Sequence, residues 1–331
     1  MIKYAVIGTS WITEQFIEGA NLVDGLSLAG VYSRSAGKGK AFAARFGAPQ
    51  VFTDLEELAR ADIDAVYIAS PNSLHVEQSR YFLNNNKNIL CEKPAAIRPE
   101  EMEALQSLAK SRGLVYMEAI MFMHSPVKNI LCEALKKIGK ISSARFDFSQ
   151  LSSRYDAYKN GENPNIFNPE MAGGCLMDLG CYCIYPTVYF FGEPKNIYAS
   201  AGFLPGGADA YGAAVLDYEN LQATLTYSKI GQDRCGSQII GEAGTVTIAS
   251  ISKLTDIYLF NNIDNHRTLL AGDIPKHVIM SHEAQAWKNY IASPQLYSAE
   301  YEIAQKTALA VCRVTASIRQ MSGVLPELKN A

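Results

Sequence analysis

Through the first third of the chain, short and nearly continuous apolar runs alternate with helix-patterned segments, and no other feature of the sequence limits the fold as tightly. Residues 2–7 form such a run, ending at Gly8. In 11–23, Ile12, Phe16 and Ala20 recur four apart, along one face of a helix. Residues 26–32 read as a second strand, and 39–46 as a helix stopped by Gly47 and Pro49. A third run, 65–69, is ended by Ser70-Pro71-Asn72. The series continues with a helix over 74–83, a strand over 88–91, a helix over 99–110 with Pro99 suited to its first turn, and a strand over 114–117. Strands that are apolar on both faces, separated by helices, predict a parallel sheet covered on both sides.

After about residue 120 the pattern changes. Residues 125–138 read as a helix ended by Gly139, and 141–148 alternate apolar and polar, as a half-buried strand does. The polar, Asn- and Pro-rich stretch 152–170 reads as a functional loop, since loops of this length without regular structure are uncommon in compact domains. Residues 173–190 predict a helix with Gly192 as its stop. Strands follow over 197–260, with turns at Asp217-Tyr218-Glu219-Asn220 and Gly241-Glu242-Ala243-Gly244, and predict an antiparallel or mixed sheet. Helices over 281–291 and 299–321 close the chain. Two domains, 1–120 and 121–331, fit a length of 331 residues.

The charge balance is 30 basic against 33 acidic residues, a net charge of −3, with no basic excess for a nucleic-acid backbone or an anionic membrane. Apolar stretches fall far short of the roughly 20 residues that span a bilayer. The seven cysteines are scattered without a Cys-x-x-Cys pair, so neither a metal site nor a disulfide framework is expected. Met1-Ile2-Lys3-Tyr4 runs straight into the first strand without a signal-peptide layout, and the expected address is the cytoplasm.

Four segments carry candidate chemistry. The first is Gly8-Thr9-Ser10-Trp11-Ile12-Thr13, at a strand-to-helix junction. A dinucleotide turn wants Gly-x-Gly-x-x-Gly here, for a tight turn, close approach to the pyrophosphate and close helix packing. Only the first glycine is present, so the segment reads equally as a plain turn. Ser10 can still offer its hydroxyl to a phosphate at the helix N-terminus. The second is Ser33-Arg34, at the end of the second strand, where NAD-binding proteins usually carry a carboxylate. A hydroxyl and a guanidinium suit a 2′-phosphate instead, and favour NADP over NAD; otherwise the segment is a solvated turn.

The third is Glu92-Lys93-Pro94, at the carboxyl end of a parallel strand, where open α/β sheets bind ligands. The fourth is the segment 173–182, in which Asp178 and Tyr182 lie four apart and share a helix face at about 6 Å. An isolated pair of this kind reads as a buried tyrosine satisfied by a carboxylate. Cys181 and Cys183 point to different faces and are not read as metal ligands.

Together with Ser70-Pro71-Asn72-Ser73-Leu74-His75 and Glu118-Ala119, these segments resemble, in order and spacing, the glucose-fructose oxidoreductase / inositol dehydrogenase / MocA (Gfo/Idh/MocA) family. Tyr182 is similar to the branch of dimeric dihydrodiol dehydrogenases and xylose dehydrogenases, where the inositol dehydrogenase branch has His. The resemblance implies an N-terminal Rossmann domain with a doubly wound parallel sheet. It implies a C-terminal α/β domain on an open, predominantly antiparallel mixed sheet, through which homodimers or homotetramers form.

It further implies an NAD(P)-dependent oxidoreductase acting on a secondary alcohol or carbonyl of a sugar, polyol or cyclic diol. Lys93, Tyr182 and Asp178 would be catalytic. Gly8, Thr9, Ser10, Trp11, Ile12, Ser33, Arg34, Ser70, Asn72, His75, Glu92 and Lys93 would line the cofactor. Two departures stand out: the degraded glycine fingerprint, and Met121-Phe122-Met123-His124 where relatives often carry Arg.

Hydride transfer at an alcohol carbon needs a matching proton transfer at its oxygen. Tyrosine titrates near pH 10, so Tyr182 as acid/base needs a cation such as Lys93 to favour its phenolate. Lys93 can also stabilise alkoxide charge. Two other classes compete. A non-catalytic dinucleotide-binding regulator has no need of Lys93, Asp178 and Tyr182. An NAD-dependent glycoside hydrolase holds its cofactor tightly, which Ser33-Arg34 argues against.

Overall fold

The computed structural model describes residues 1–324. The chain divides into two compact units, one of residues 1–124 with 275–306, the other of 125–274 with the residues from 307 onward.

The first unit begins with β1 (Ile2–Ile7), α1 (Trp11–Ala20), β2 (Leu26–Tyr32), α2 (Ala36–Phe46), β3 (Gln50–Phe52), α3 (Leu55–Arg60) and β4 (Ala65–Ile68). It continues with α4 (His75–Asn84), β5 (Asn88–Glu92), α5 (Pro99–Ser111), β6 (Tyr116–Ala119) and α6 (Met121–His124). The six strands pair in the order β3-β2-β1-β4-β5-β6, all parallel. That order reverses direction between β1 and β4, and open α/β sheets bind ligands outside the carboxyl ends of the strands at such a switch point. The expected parallel sheet is present. β4 is buried along its whole length, and β1 from Tyr4 onward, as their unbroken apolar runs require.

β3 and α3 add to the elements expected from the sequence. β3 is three residues long, too short for a periodicity. α3 announces itself only by its cap: Asp54 accepts hydrogen bonds from the backbone N–H groups of Glu56 and Glu57 at 2.6 and 3.1 Å.

In the second unit, α7 (Val127–Lys137), β7 (Ile141–Ser149), α8 (Tyr155–Lys159) and α9 (Cys181–Phe191) precede β8 (Asn196–Phe203), β9 (Asp209–Asp217), β10 (Gln222–Ser228), β11 (Ser237–Gly241), β12 (Gly244–Ser250), β13 (Thr255–Asn261) and β14 (Arg267–Ala271). The sheet order is β14-β13-β12-β11-β7-β10-β9-β8. Only β7 and β10 pair in parallel, so the sheet is mixed and mostly antiparallel, as expected. One face is buried under α7 and α9, with Phe146, Leu216, Leu225, Ile239, Val246 and Ile257 at its centre. Both expected hairpin turns stand where the sequence puts them, between β9 and β10 and between β11 and β12. β14 was not foreseen, and its burial pattern shows no inward face.

Two local expectations are corrected. The stretch 152–170 is not an irregular loop: it contains α8 and 3₁₀ turns at Asn165–Phe167 and Pro169–Met171. Tyr155, Tyr158 and Ile166 pack on a small core of Phe167, Leu204 and Ala210, so a few aromatic anchors order an otherwise polar segment. The helix expected over 173–190 starts as a π-helical turn, Leu176–Gly180, before α9 takes over; Gly192, at φ 79°, ends it.

α10 (Lys276–Ala292) belongs to the first unit and packs on α1. A Cβ at Gly19 would lie 2.5 Å from the His277 carbonyl oxygen, so the two helices meet through a missing side chain. Trp287 of α10 is fully buried, with its ring centroid 6.2 Å from those of both Tyr4 and Phe16. α11 (Ser298–Ser322) follows, and Tyr301 donates its hydroxyl to the Tyr116 carbonyl at 3.0 Å.

Candidate active site

In the first unit the predicted cofactor residues gather at the carboxyl ends of β1, β2, β4 and β5. Gly8 turns the chain at φ 107°, and a Cβ there would come within 2.5 Å of the Ala69 carbonyl oxygen. The first fingerprint glycine is therefore a steric necessity. Ser10 occupies the N-cap of α1 in extended backbone, with its hydroxyl 3.4 Å from that of buried Thr13. The third fingerprint position thus holds a buried side chain, that of Thr13. Trp11 is 57% exposed, and the Lys276 ammonium lies 4.7 Å from its ring centroid.

After β2, the Ser33 hydroxyl accepts from the Ser35 N–H at 3.3 Å, and the Ser35 side chain caps α2 by accepting from the Lys38 N–H. Arg34 is exposed on this turn and makes no ion pair among the described residues. A free guanidinium here, and no carboxylate, matches a 2′-phosphate. The tight glycine turn, the open N-terminus of α1 and this guanidinium together fit a dinucleotide.

His75 is buried. Its Nδ1 lies 2.9 Å from the Pro94 carbonyl oxygen and its Nε2 2.8 Å from that of Ser70. Burial lowers its pKa, and the two carbonyls oppose that shift. His75 thus ties the turn after β4 to the turn after β5. The Ser70 hydroxyl donates to Gln78 at 2.7 Å, and Asn72 opens the 3₁₀ turn Asn72–Leu74. The Lys93-Pro94 peptide is cis. Glu118 accepts from the Ala95 N–H at 2.8 Å, and the Tyr116 hydroxyl donates to the Ala95 carbonyl at 3.3 Å. The Glu118-Ala119 pair noticed in the sequence therefore includes a brace for the Lys93 turn.

Glu92 accepts from the Tyr67 hydroxyl at 2.5 Å, and Tyr67 stacks on Phe16 at 3.9 Å. Burial raises the pKa of the Glu92 carboxyl, while Tyr67 and Lys93 pull it back. Glu283 of α10 is buried near it, and burial pushes this carboxyl well above the usual range.

In the second unit, Asp178 sits on the π-helical turn and Tyr182 on the first turn of α9. A spacing of four puts two residues on one face only in a regular α-helix; π-helical turns are wider and recur at functional sites. Tyr182 is half-buried, edge-on to Phe148 at 5.2 Å. Cys181 and Cys183 are both buried, and no metal-holding cluster occurs among the described residues. Asp209 accepts from the Leu176 N–H at 2.6 Å, and burial raises its pKa. Gly174, at φ 139°, leaves room for it: a Cβ would lie 2.0 Å from the Asp209 Oδ1.

Sequence reasoning missed Lys229, whose ammonium pairs with Asp178 at 2.7 Å. A signal was present. Ala223, Leu225 and Tyr227 are the inward residues of β10, and the alternation continues to position 229. A lysine at an inward position needs a buried partner.

Both units match known proteins. A family model described as oxidoreductase family, NAD-binding Rossmann fold, matches residues 2–120, and one described as the GFO/IDH/MocA C-terminal domain matches 134–247. The uncharacterized oxidoreductase YgjR of Escherichia coli is 39% identical over 331 residues, 98% of each chain. The scyllo-inositol 2-dehydrogenase (NADP(+)) IolU of Bacillus subtilis is 39% identical over 329 residues, again 98% of each. A trans-1,2-dihydrobenzene-1,2-diol dehydrogenase of Xenopus tropicalis is 28% identical over 75% of each chain. Among solved structures, KijD10, a 3-ketoreductase from Actinomadura kijaniata in complex with NADP and TDP-benzene, shares the fold with a TM-score of 0.82 at 22% identity, covering 97% of this chain and 98% of that one. This chain belongs to the Gfo/Idh/MocA family and is an NAD(P)-dependent oxidoreductase.

Proposed function

We propose that the protein is an NADP-preferring dehydrogenase of a cyclic polyol, with scyllo-inositol as the first substrate to try. The observation that carries this reading is the likeness to the NADP(+)-dependent scyllo-inositol dehydrogenase along 98% of both chains. Exposed Arg34 after β2, in place of a carboxylate, supports the preference for NADP. When bound, the nicotinamide exchanges a hydride with the carbon that bears the reacting hydroxyl.

The chain's own residues do the rest. Tyr182 takes the hydroxyl proton during oxidation and returns it during reduction. The Lys93 ammonium stabilises the alkoxide charge that develops on that oxygen. Asp178 accepts a hydrogen bond from a neighbouring substrate hydroxyl and orients the ring. Gly8, Thr9, Ser10, Trp11 and Ile12 receive the pyrophosphate, Ser33 and Arg34 the adenosine ribose phosphate, and Ser70, Asn72 and Glu92 the nicotinamide side. His75 acts behind them by holding the turns.

Two further proposals concern assembly and address. Tyr198, Phe203, Tyr211 and Leu269 are exposed on strands of the eight-stranded sheet, which supports a homodimer or homotetramer through that sheet; light scattering after gel filtration tests this. None of the seven cysteines forms a disulfide, which supports a reducing cytoplasm, and no described helix is long and apolar enough to cross a membrane.

The functional test is absorbance at the NADPH band with scyllo-inositol and NADP+ or NAD+. Reduction of NADP+ at a rate well above that of NAD+ is expected. Failure to reduce either cofactor with scyllo-inositol and its stereoisomers overturns the substrate assignment.

A further inference from the structure

Lys229 follows β10 in the second unit, 1% exposed. A buried ammonium is costly unless it is paired and hydrogen-bonded. This one has three recipients: Asp178 Oδ2 at 2.7 Å, the Ile166 carbonyl oxygen at 3.2 Å, and the Phe167 ring at 5.4 Å from its centroid. These recipients belong to two separate segments. Ile166 and Phe167 form the 3₁₀ turn of the stretch 152–170, and Asp178 rides on the π-helical turn. One cation therefore joins the two.

The exposure of the pair is lopsided. The Lys229 side chain is 2% exposed and that of Asp178 37%. A pair that served only the core would bury both partners. Here the cation stands behind the carboxylate and leaves an edge of it outward.

We propose that Lys229 is a positioning residue: it clamps the turn at residues 165–167 to the π-helical turn, and so fixes the direction in which Asp178 meets a substrate hydroxyl. The proposal rests on Asp178 contacting substrate, as argued above. It also explains the ordering of the polar stretch 152–170, whose small aromatic core ends at the ring that Lys229 faces. A substrate therefore meets Asp178 and the 165–167 turn as one rigid piece, which ties ring selection to Lys229.

A double-mutant square tests it, using scyllo-inositol and NADP+ on the full-length enzyme. Lys229→Met is compared in the wild-type and Asp178→Asn backgrounds, with NADP+ affinity followed by tryptophan fluorescence. In the wild-type background, kcat/KM is expected to fall roughly 10–100-fold, within the range of coupled pairs, and in the Asp178→Asn background by less than about threefold. NADP+ affinity stays the same in all four proteins. Equal losses in both backgrounds, or no loss in either, overturn the proposal. If Lys229→Met does not fold, Lys229→Gln takes its place in the square.

Hydrogen exchange supplies a readout that needs no substrate. Lys229→Met is expected to speed exchange in both 163–171 and 176–180, and Asp178→Asn in 176–180 alone. Wild-type exchange rates in the Lys229 variant overturn the clamp. A wild-type enzyme that turns over no polyol defeats the dehydrogenase reading instead, and exchange still decides the role of Lys229.

Discussion

The two units present their candidate residues in different ways. In the six-stranded unit, the backbone shapes the site. Gly8 is required by a carbonyl 2.5 Å from where its Cβ would be, the Lys93-Pro94 turn is gripped by His75 and Glu118, and α1 offers its N-terminus. In the eight-stranded unit, charged side chains stand at the candidate site: Lys229 pairs with Asp178, and Asp209 accepts from the Leu176 N–H of the π-helical turn. The difference separates the tasks. A dinucleotide is common to many enzymes and can be met by backbone geometry that survives the loss of two fingerprint glycines. A substrate has to be selected, and in the proposed function individual side chains, Asp178 and Tyr182, meet it.

If that division is right, mutations in the two units fail in different ways. The largest effect is expected for Lys93→Met, which removes the charge proposed to stabilise the developing alkoxide: kcat falls about 10²–10³-fold with little change in NADP+ affinity. A comparable loss of cofactor binding would move Lys93 from catalysis to the cofactor and blur the comparison. Arg34→Ala is expected to act oppositely. It weakens NADP+ roughly 10–100-fold, the worth of a charge-assisted phosphate contact, and leaves kcat at saturation and NAD+ affinity near wild type. Titration with both cofactors measures this, and equal weakening of the two removes the 2′-phosphate assignment.

The smallest effect concerns stability. Glu283 is buried in the first unit with its pKa raised well above the usual carboxyl value of 4.5, chiefly by burial and next by Glu92. The folded protein keeps that proton at pH values where the unfolded chain has lost it, so this residue's contribution to stability falls as pH rises above about 4.5. Glu283→Gln mimics the protonated acid and does not titrate. The variant is expected to match wild type near pH 4.5 and to melt a few degrees higher at pH 8, at about 2–4 °C per kcal/mol. A melting difference that does not change with pH contradicts the assignment.

What the sequence disclosed follows the same division. Unbroken apolar runs, such as 2–7 and 65–69, marked the parallel sheet and placed Gly8, Arg34, His75 and Lys93 in the turns that follow its strands. The three-residue β3 carried no period to read. Asp178 and Tyr182 were legible as a pair, whereas the π-helical turn under Asp178 depends on Asp209, more than thirty residues away, and on the space that Gly174 leaves. Lys229 was visible only as a charge on the inward register of β10, a conflict between local pattern and charge that a partner distant in sequence resolves. The place of α10 beside α1 was hidden for the same reason, because Gly19 and Trp287 find their partners more than 250 residues away in sequence.

The proposed function makes Tyr182 the group that carries the proton of the reaction. Its most direct test is Tyr182→Phe, assayed with scyllo-inositol and NADP+ and paired with an NADP+ titration. The account predicts a fall in kcat of about 10²-fold or more, the usual cost of a lost acid/base group, with NADP+ affinity unchanged. Wild-type turnover in the phenylalanine variant would contradict it.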